Sequence, residues 1–462
     1  MTTPRELEAY FDRLWSIWPP RSLTGSGARQ THDILEEISQ QKFTRIEVAS
    51  GARCFDWTIP AEWKLSDAYI ITPDGRKICD ARVNHLHVVG YSTPFRGVLS
   101  KQELEVHLHS LPENPAAIPY RTTYYVPTWG FCIAHKDREA LAEGTYQVLI
   151  DAEHFDGSLT LSECVLPGES GREILLWTYT CHPAGAHHDL SANLAWAALI
   201  RRVAAWPRRR FTYRFVAGAE TIGSLAYLAQ EVNGVDTING PIYAGVPPRN
   251  ARVRKMELNV RWSLVQNLKQ KMVAGYVMTC LGRGAWNYKR SQRGDTLADR
   301  AAEYVMDQDD LMWSEINRSN LPPTIHDYYV REGSDELVFN RFGLPVGSLM
   351  RDRYAHFDSY HTDQDNKAGI SFDTIADSVD VYERVLRVIE ANRTYRCIVP
   401  GVPQLGRRGL YDEADIVPMT VLYQLSDGSA DLLDLAQRTG LDIHVLADAA
   451  KRATAAGVLE EA

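Results

Sequence analysis

At 462 residues, with 45% apolar and 24% charged side chains, the chain is too long for one ordinary domain and has the composition of a soluble globular protein. A formal charge of −9 with no offsetting basic face argues against a nucleic-acid or membrane-surface partner; Arg208–Arg210, after Pro207, reads as a helix-to-strand turn. No segment approaches the roughly 18 consecutive apolar residues of a membrane span. The expected partner is therefore a small molecule, with homo-oligomerisation left open. Seven cysteines between Cys54 and Cys397, odd in number and with no CxxC pair, fit reduced thiols in a cytoplasm. The opening MTTPRELEAYFDRLW reads as an amphipathic helix with acidic residues, which is wrong for a secretion signal.

Taken in order, residues 1–48 give two helical patterns around Trp15–Pro20, with Thr31–Glu36 opening the second. From about Ser50 the texture turns to short strands: Phe55, Trp57 and Ile59 alternate with polar neighbours, and Pro73-Asp74-Gly75 is a strong turn. This continues through Thr122–Tyr125, Tyr146–Ile150 and Ser158–Val165 and predicts a β-rich module over about 50–165. From Arg172 strands and helices alternate. The expected strands are Glu173–Tyr179, Phe211–Ala217, Val273–Cys280 and Leu344–Leu349; the expected helices are Leu190–Trp206, Ile222–Val232, Leu297–Val305 and Phe372–Asn392. That alternation predicts an α/β fold with a mostly parallel sheet covered on both faces. Residues 233–270 read as an excursion from the sheet. Pro400–Gly406 reads as a linker to three short helices, Met419–Leu425, Asp431–Thr439 and Val445–Ala456, which resemble a winged-helix unit. Ten acidic against three basic residues from Asp412 to Ala462 point to assembly or a lid rather than DNA reading.

Three stretches carry the chemistry. Thr178–Asn193, TYTCHPAGAHHDLSAN, sets His182, His187, His188 and Asp189 in the loop after a strand, where α/β sheets place their sites. Phe215–Leu228 sets Glu220 just past a strand and at the mouth of a helix, which favours an ionised carboxylate. Gly333–Asn366 supplies Asp335, Glu336 and, after a further strand, His361. Imidazoles and carboxylates at three strand ends predict a metal ion.

With those stretches in view, the chain resembles the aminopeptidase-like family with an inserted β-module and a C-terminal winged helix (DUF4910/DUF2172 type), itself related to zinc aminopeptidases of the M28 type. The resemblance runs over nearly the whole chain: FDWTIPAEW, NHLHVVGYSTP, LHSLPENPAAIPYRTTYY, WGFCIAH, CHP, AETIGSLAYL, GDTLADR, GSDE and YHTDQDN. It implies a zinc-exopeptidase (phosphorylase/hydrolase-like) sheet domain in 1–49 and 166–399, the module in 50–165 and the winged helix in 407–462. His182 and His361 match histidines of the CHP and YHT motifs. Glu220 matches the acid of ETIG, as either metal ligand or general base. Where the family reads Asn-Asp-Asn-Leu-Ser-Gly, this chain has His187-His188-Asp189-Leu190-Ser191-Ala192, so the expected bridging Asp falls on His188. A second expected ligand Asp falls on Arg283, in Gly282-Arg283-Gly284.

Those exchanges bear on ion count. Unit charges 4 Å apart repel by about 4 kcal/mol at an effective dielectric of 20, and divalent ions by roughly four times that. Two ions therefore need carboxylates that this chain has replaced with an imidazole and a guanidinium. The expectation is one zinc ion held by His188, Glu220 and His361, with His182 as a fourth ligand or a hydrogen-bond donor beside it. Arg283 is expected at the lost ion's place, or else in an ion pair with Asp189 or Asp335. Asp189, Asp335 and Glu336 are candidates for proton transfer or for orienting a ligand imidazole. His356, where the family tends to have Glu, is an extra ligand or an exposed loop residue. Trp129 and His135 either reach over the pocket or belong to the module's core. The function implied is aminopeptidase-like, metal-dependent hydrolysis of a small peptide or amide. The alternatives are acyl transfer or cyclisation on the same fold, or a non-catalytic ligand-binding descendant.

Overall fold

The computed structural model describes residues 2–230, 263–308, 322–329, 332–411 and 416–462, so most of the expected excursion at 233–270 lies outside the described residues. An eight-stranded sheet runs through the molecule: β1 (Thr44–Ala49), β2 (Ser158–Leu166), β3 (Glu173–Tyr179), β4 (Thr212–Gly218), β5 (Met272–Met278), β6 (Asn287–Lys289), β7 (Thr324–His326) and β8 (Val346–Met350). Their spatial order is β1-β2-β4-β3-β5-β8-β6-β7. The middle four, β4, β3, β5 and β8, are parallel, so their carboxyl ends share one edge. Antiparallel pairing sets β1, β2 and β6 around them.

All seven residues of β3 are buried, as a strand covered on both faces requires. Alternation sends Ile174 and Leu176 into one core and Leu175 and Trp177 into the other. The first core lies under α1 (Pro4–Trp15), α2 (Ser26–Ser39) and α3 (Ser191–Ala204). The second includes residues of α4 (Ile222–Leu228), α5 (Ser263–Lys271) and the β-module. Two further helices frame the parallel strands, α6 (Leu297–Met306) and α7 (Asp335–Arg341). The 20-residue α8 (Phe372–Ala391) opens on Ser371, whose side chain accepts the Thr374 N–H. It buries Ile375, Val379, Tyr382, Leu386 and Ile389, an i, i+3, i+4 stripe worth about 1.5–3 kcal/mol for each fully buried side chain.

Two boundaries differ from the sequence reading. Ser158–Leu166, expected in the module, is β2 of the main sheet, because the chain turns back at Gly157 from the module's long strand Thr145–Phe155. At the other end, Thr394–Cys397 lies ahead of Pro400–Gly406 and pairs with Asp427–Asp431 and Leu459–Glu461. The C-terminal unit therefore takes a strand from before the expected linker. Its helices α9 (Ile416–Leu425), α10 (Leu432–Thr439) and α11 (Ile443–Ala455) bury leucines and alanines in the same core as α8. The Arg300 guanidinium grips Asp431 and Asp434 at 2.6 and 2.8 Å across that junction.

Candidate metal centre

The loop after β3 turns on Gly185, at φ +123°, where a Cβ would lie 2.4 Å from the His188 ring, so only glycine fits. Ala186–Leu190 then forms a wide turn in which the Leu190 N–H reaches the Gly185 carbonyl at 3.0 Å, five residues back. That turn splays its polar residues apart. His188 faces inward. His187 accepts the Gly282 N–H at Nδ1 (3.2 Å) and sets its ring against Phe357. Asp189 turns back to accept the His182 N–H (3.0 Å) and an Asn193 amide proton (3.0 Å).

His182, His188 and His361 converge: one ligand atom from each lies within 4.8 Å of the other two. Asp365 accepts the backbone N–H groups of His187 and His188 at 2.7 and 3.2 Å, and its Oδ2 lies 3.2 Å from His188 Nδ1. That contact fixes the proton on Nδ1 and leaves Nε2 as the free lone pair. The Nε2 atoms of His188 and His361 are buried without a hydrogen-bond partner. A buried donor or acceptor left unmet costs about 1–3 kcal/mol. Burial, and then the neighbouring imidazoles, push both rings well below the usual histidine range, so both stand neutral, the form that binds metal. His361 sits at φ 55°, a conformation rare outside glycine, with its ring stacked on Tyr360. Three imidazoles with two orphaned nitrogens fit a borderline divalent cation of the zinc kind.

Glu220 stands beside this trio. Its Oε1 accepts the Ser334 hydroxyl proton (2.6 Å), and Oε2 is 3.9 Å from His182 Nε2. The sequence reading has His188, Glu220 and His361 on the ion, with His182 as a fourth ligand or a donor beside it; the three histidines converge, and Glu220 stands next to them. Asp335 and Glu336 lie behind Glu220 and are not among the residues lining the cavity beside it. Asp335 accepts Thr221 N–H (2.8 Å), Ser224 Oγ–H (2.6 Å) and Trp177 Nε1–H (2.6 Å), which pins the turn carrying Glu220 at Thr221 (φ 59°). Burial and the nearby Glu220 push its carboxyl up to about 8. Glu336 is fully buried against the equally buried Lys289 ammonium (2.8 Å) and the Tyr354 hydroxyl (2.9 Å).

Arg283 does not stand among the histidines. Its Nε is 3.7 Å from Asp352, its guanidinium lies over Phe357, and neither Asp189 nor Asp335 is its partner. His356 is exposed and pairs with Glu332 at 3.2 Å. Trp129 stacks on His107 and Phe95, while His135 meets Ser110 and Glu139, all within the module.

The residues that do cover the histidines come from elsewhere in the module. A cavity of about 290 Å³ is floored by Cys181, His182, Glu220 and His361 and walled by Trp57, Tyr120, Tyr124 and Tyr125. The Tyr120 ring lies 5.1 and 5.2 Å from the rings of His182 and His361, and its N–H donates to the His361 carbonyl at 2.8 Å. Behind the site, the buried Arg21 guanidinium donates to the His182 carbonyl (2.9 Å) and the Pro183 carbonyl (3.3 Å). The sequence reading missed Asp365, Arg21 and the tyrosines. The aromatic density of PYRTTYY is the one signal that points to any of them.

Residues 62–153 match a domain of unknown function, DUF2172, residues 261–392 match another, DUF4910, and residues 393–461 match a winged helix-turn-helix. A protein of Clostridium acetobutylicum, named for polysaccharide biosynthesis and for an aminopeptidase-like domain, is 36% identical over 441 residues, covering 91% of this chain and 89% of that one. The chain belongs to this aminopeptidase-like family. A crystal structure from the same organism, described as a peptidase, superposes with a TM-score of 0.82 at 33% identity, over 99% of this chain and 96% of that one. The zinc aminopeptidase of Bacillus subtilis (TM-score 0.54, 11% identity, 84% and 94% coverage) and an M28 peptidase of Shewanella amazonensis (0.51, 12%, 84% and 96%) are similar in fold. Family membership accounts for the central sheet, the module and the winged helix together. Among the described residues no helix is long and apolar enough to cross a membrane.

Proposed function

We propose that the protein is a metal-dependent hydrolase of an amide bond in a small substrate, with one zinc ion held by His182, His188 and His361. The observation that carries this reading is the pair of buried, partnerless Nε2 atoms on His188 and His361, which converge with His182; His182, His361 and the Glu220 carboxylate line the cavity. When bound, such an ion polarises a carbonyl and lowers the pKa of a coordinated water to about 7.

The chain's own groups do the rest. Asp365 holds the His188 ring in register and in one tautomer. Ser334 ties down Oε1 of Glu220, so Oε2 is the atom that takes a proton from water and returns it to the leaving nitrogen. The aromatic wall narrows the access of bulk water to these groups. A single ion is favoured because Asp189 is committed to His182 and Asn193, while Arg283 stands with Asp352; neither offers the anionic bridge that a second ion needs. All seven cysteines are free thiols, which supports a reducing, cytoplasmic setting. The name of the C. acetobutylicum relative supports a biosynthetic role over a degradative one.

Elemental analysis of purified protein, paired with chromogenic aminoacyl amides assayed with and without chelator, tests the reading. One tightly bound zinc per chain and chelator-sensitive cleavage are expected. Two ions per chain overturn the count, and turnover that survives metal removal overturns the mechanism.

A further inference from the structure

We propose that the cavity over the histidines takes one uncharged amino-sugar residue and that the bond cleaved is its N-acyl amide. This deepens the hydrolase reading and rests on it.

Trp57, Tyr120, Tyr124 and Tyr125 line the cavity together with His182 and His361. Each ring joins a flat apolar face to a polar atom at its rim. Trp57 and Tyr125 meet edge to face at 6.1 Å and remain 42% and 51% exposed, a clustered aromatic surface at a cavity mouth. The Tyr125 hydroxyl is anchored on the Thr58 carbonyl at 2.9 Å, which holds that ring in place. A site for an aliphatic side chain would be dry and lined with branched aliphatics, whereas among the described residues this one has only Leu23 and Ile222 of that kind. A pyranose ring has the matching character: a face of C–H groups to lay on an aromatic plane, and hydroxyls around its edge. Tyr120 and Tyr124, whose hydroxyls lie 3.1 Å apart, offer rim groups for those hydroxyls, as does Thr122.

Charge and size narrow the ligand further. No lysine or arginine lines the cavity among the described residues, and its one carboxylate is Glu220. The ion held by the histidines is taken up by the amide that is cleaved, and the lining offers no second cation for a phosphate or a carboxylate elsewhere on the ring, so the sugar is neutral. About 290 Å³ stands at the lower limit of small-molecule sites, enough for one ring with a short acyl arm and too little for a chain of residues. In the reaction the water oxygen bonds to the acyl carbon and the C–N bond breaks. One water proton passes through Glu220 Oε2 to the nitrogen, releasing the free amino sugar and a short carboxylic acid, with no change of oxidation state.

The probes are N-acetyl-D-glucosamine and N-acetyl-D-galactosamine. Binding to the full-length protein, zinc-loaded and metal-free, is read by saturation-transfer NMR, and amine release is read separately. At least one sugar is expected to bind both forms. Binding should weaken about tenfold or more in Trp57→Ala and Tyr125→Ala and recover in Trp57→Phe. With zinc, amine release should follow, with the loss in Trp57→Ala falling on KM rather than kcat. Metal-dependent cleavage of aminoacyl amides with neither sugar bound overturns this proposal and leaves the hydrolase reading standing. Sugar binding that Trp57→Ala does not weaken also overturns it. Binding that depends on Trp57, without metal-dependent cleavage of any amide, overturns the hydrolase reading and with it the assigned bond.

Discussion

His188 and Asp365 show how much one side chain decides here. With His188 Nδ1 held by Asp365, the other nitrogen is left as a lone pair among the histidines. In Asp365→Asn the amide keeps the shape but no longer accepts as a carboxylate, and metal affinity is expected to fall about 10–100-fold. Competition with a chromophoric chelator measures it. A second residue-scale case is the Lys289–Glu336 pair, where both partners are completely buried. Lys289→Met leaves a buried carboxylate uncompensated and should cost about 3–5 kcal/mol in urea denaturation, while adding Glu336→Gln should recover much of it. His32 supplies the pH dependence. Burial, and then Arg45, lower its pKa from 6.5 to about 3 in the fold. Above pH 6.5 the ring is neutral in both states; as pH falls toward 3 the unfolded chain takes up the proton and the fold does not, so stability drops. At pH 4 the loss from this one group is on the order of 3 kcal/mol. The variant His32→Leu should flatten that part of the stability–pH curve.

At the scale of elements, the strand ends that carry His182, Glu220 and His361 are legible in the sequence, because apolar runs followed by His- or Glu-bearing loops mark the carboxyl edge of a parallel sheet. Which atoms meet there is not. The choice between His188 and Asp189 depends on a bond five residues back in the turn, and no periodicity announces it. The standing of Glu220 depends on Ser334, more than a hundred residues away in the chain. The turn itself is open to test. Gly185→Ala puts a methyl against the His188 ring at positive φ, and it should cost about 1–3 kcal/mol of backbone strain and abolish tight zinc binding. A second element is the module segment Ile118–Tyr120. It lies against the His361 loop through Tyr120 N–H to His361 and reciprocal contacts between Ile118 and Asp363. Tyr120→Ala keeps the backbone bonds and strips the aromatic cover from two of the histidines. Faster chelator-driven metal loss is expected, with Tyr120→Phe close to the unsubstituted protein.

For the whole molecule, the three-part organisation is readable from shifts in texture, while its joints are not. The module's last long strand turns straight into β2, and the winged-helix unit borrows Thr394–Cys397 from before the proline-rich segment, so composition marks neither boundary. The C-terminal helices share a core with α8, and Arg300 ties them across. The full chain should therefore lose its winged helix and its sheet domain in one calorimetric transition. Truncation after residue 399 should give an insoluble product, since the apolar face of α8 would meet water.

The grip of Arg21 on the His182 loop, and of Asp365 on His188, also sets an order of events. One holder is made near the start of synthesis and the other late, with the sheet between them. On the proposed single-ion reading, a half-built chain would have nowhere to keep a cation, and loading would follow assembly.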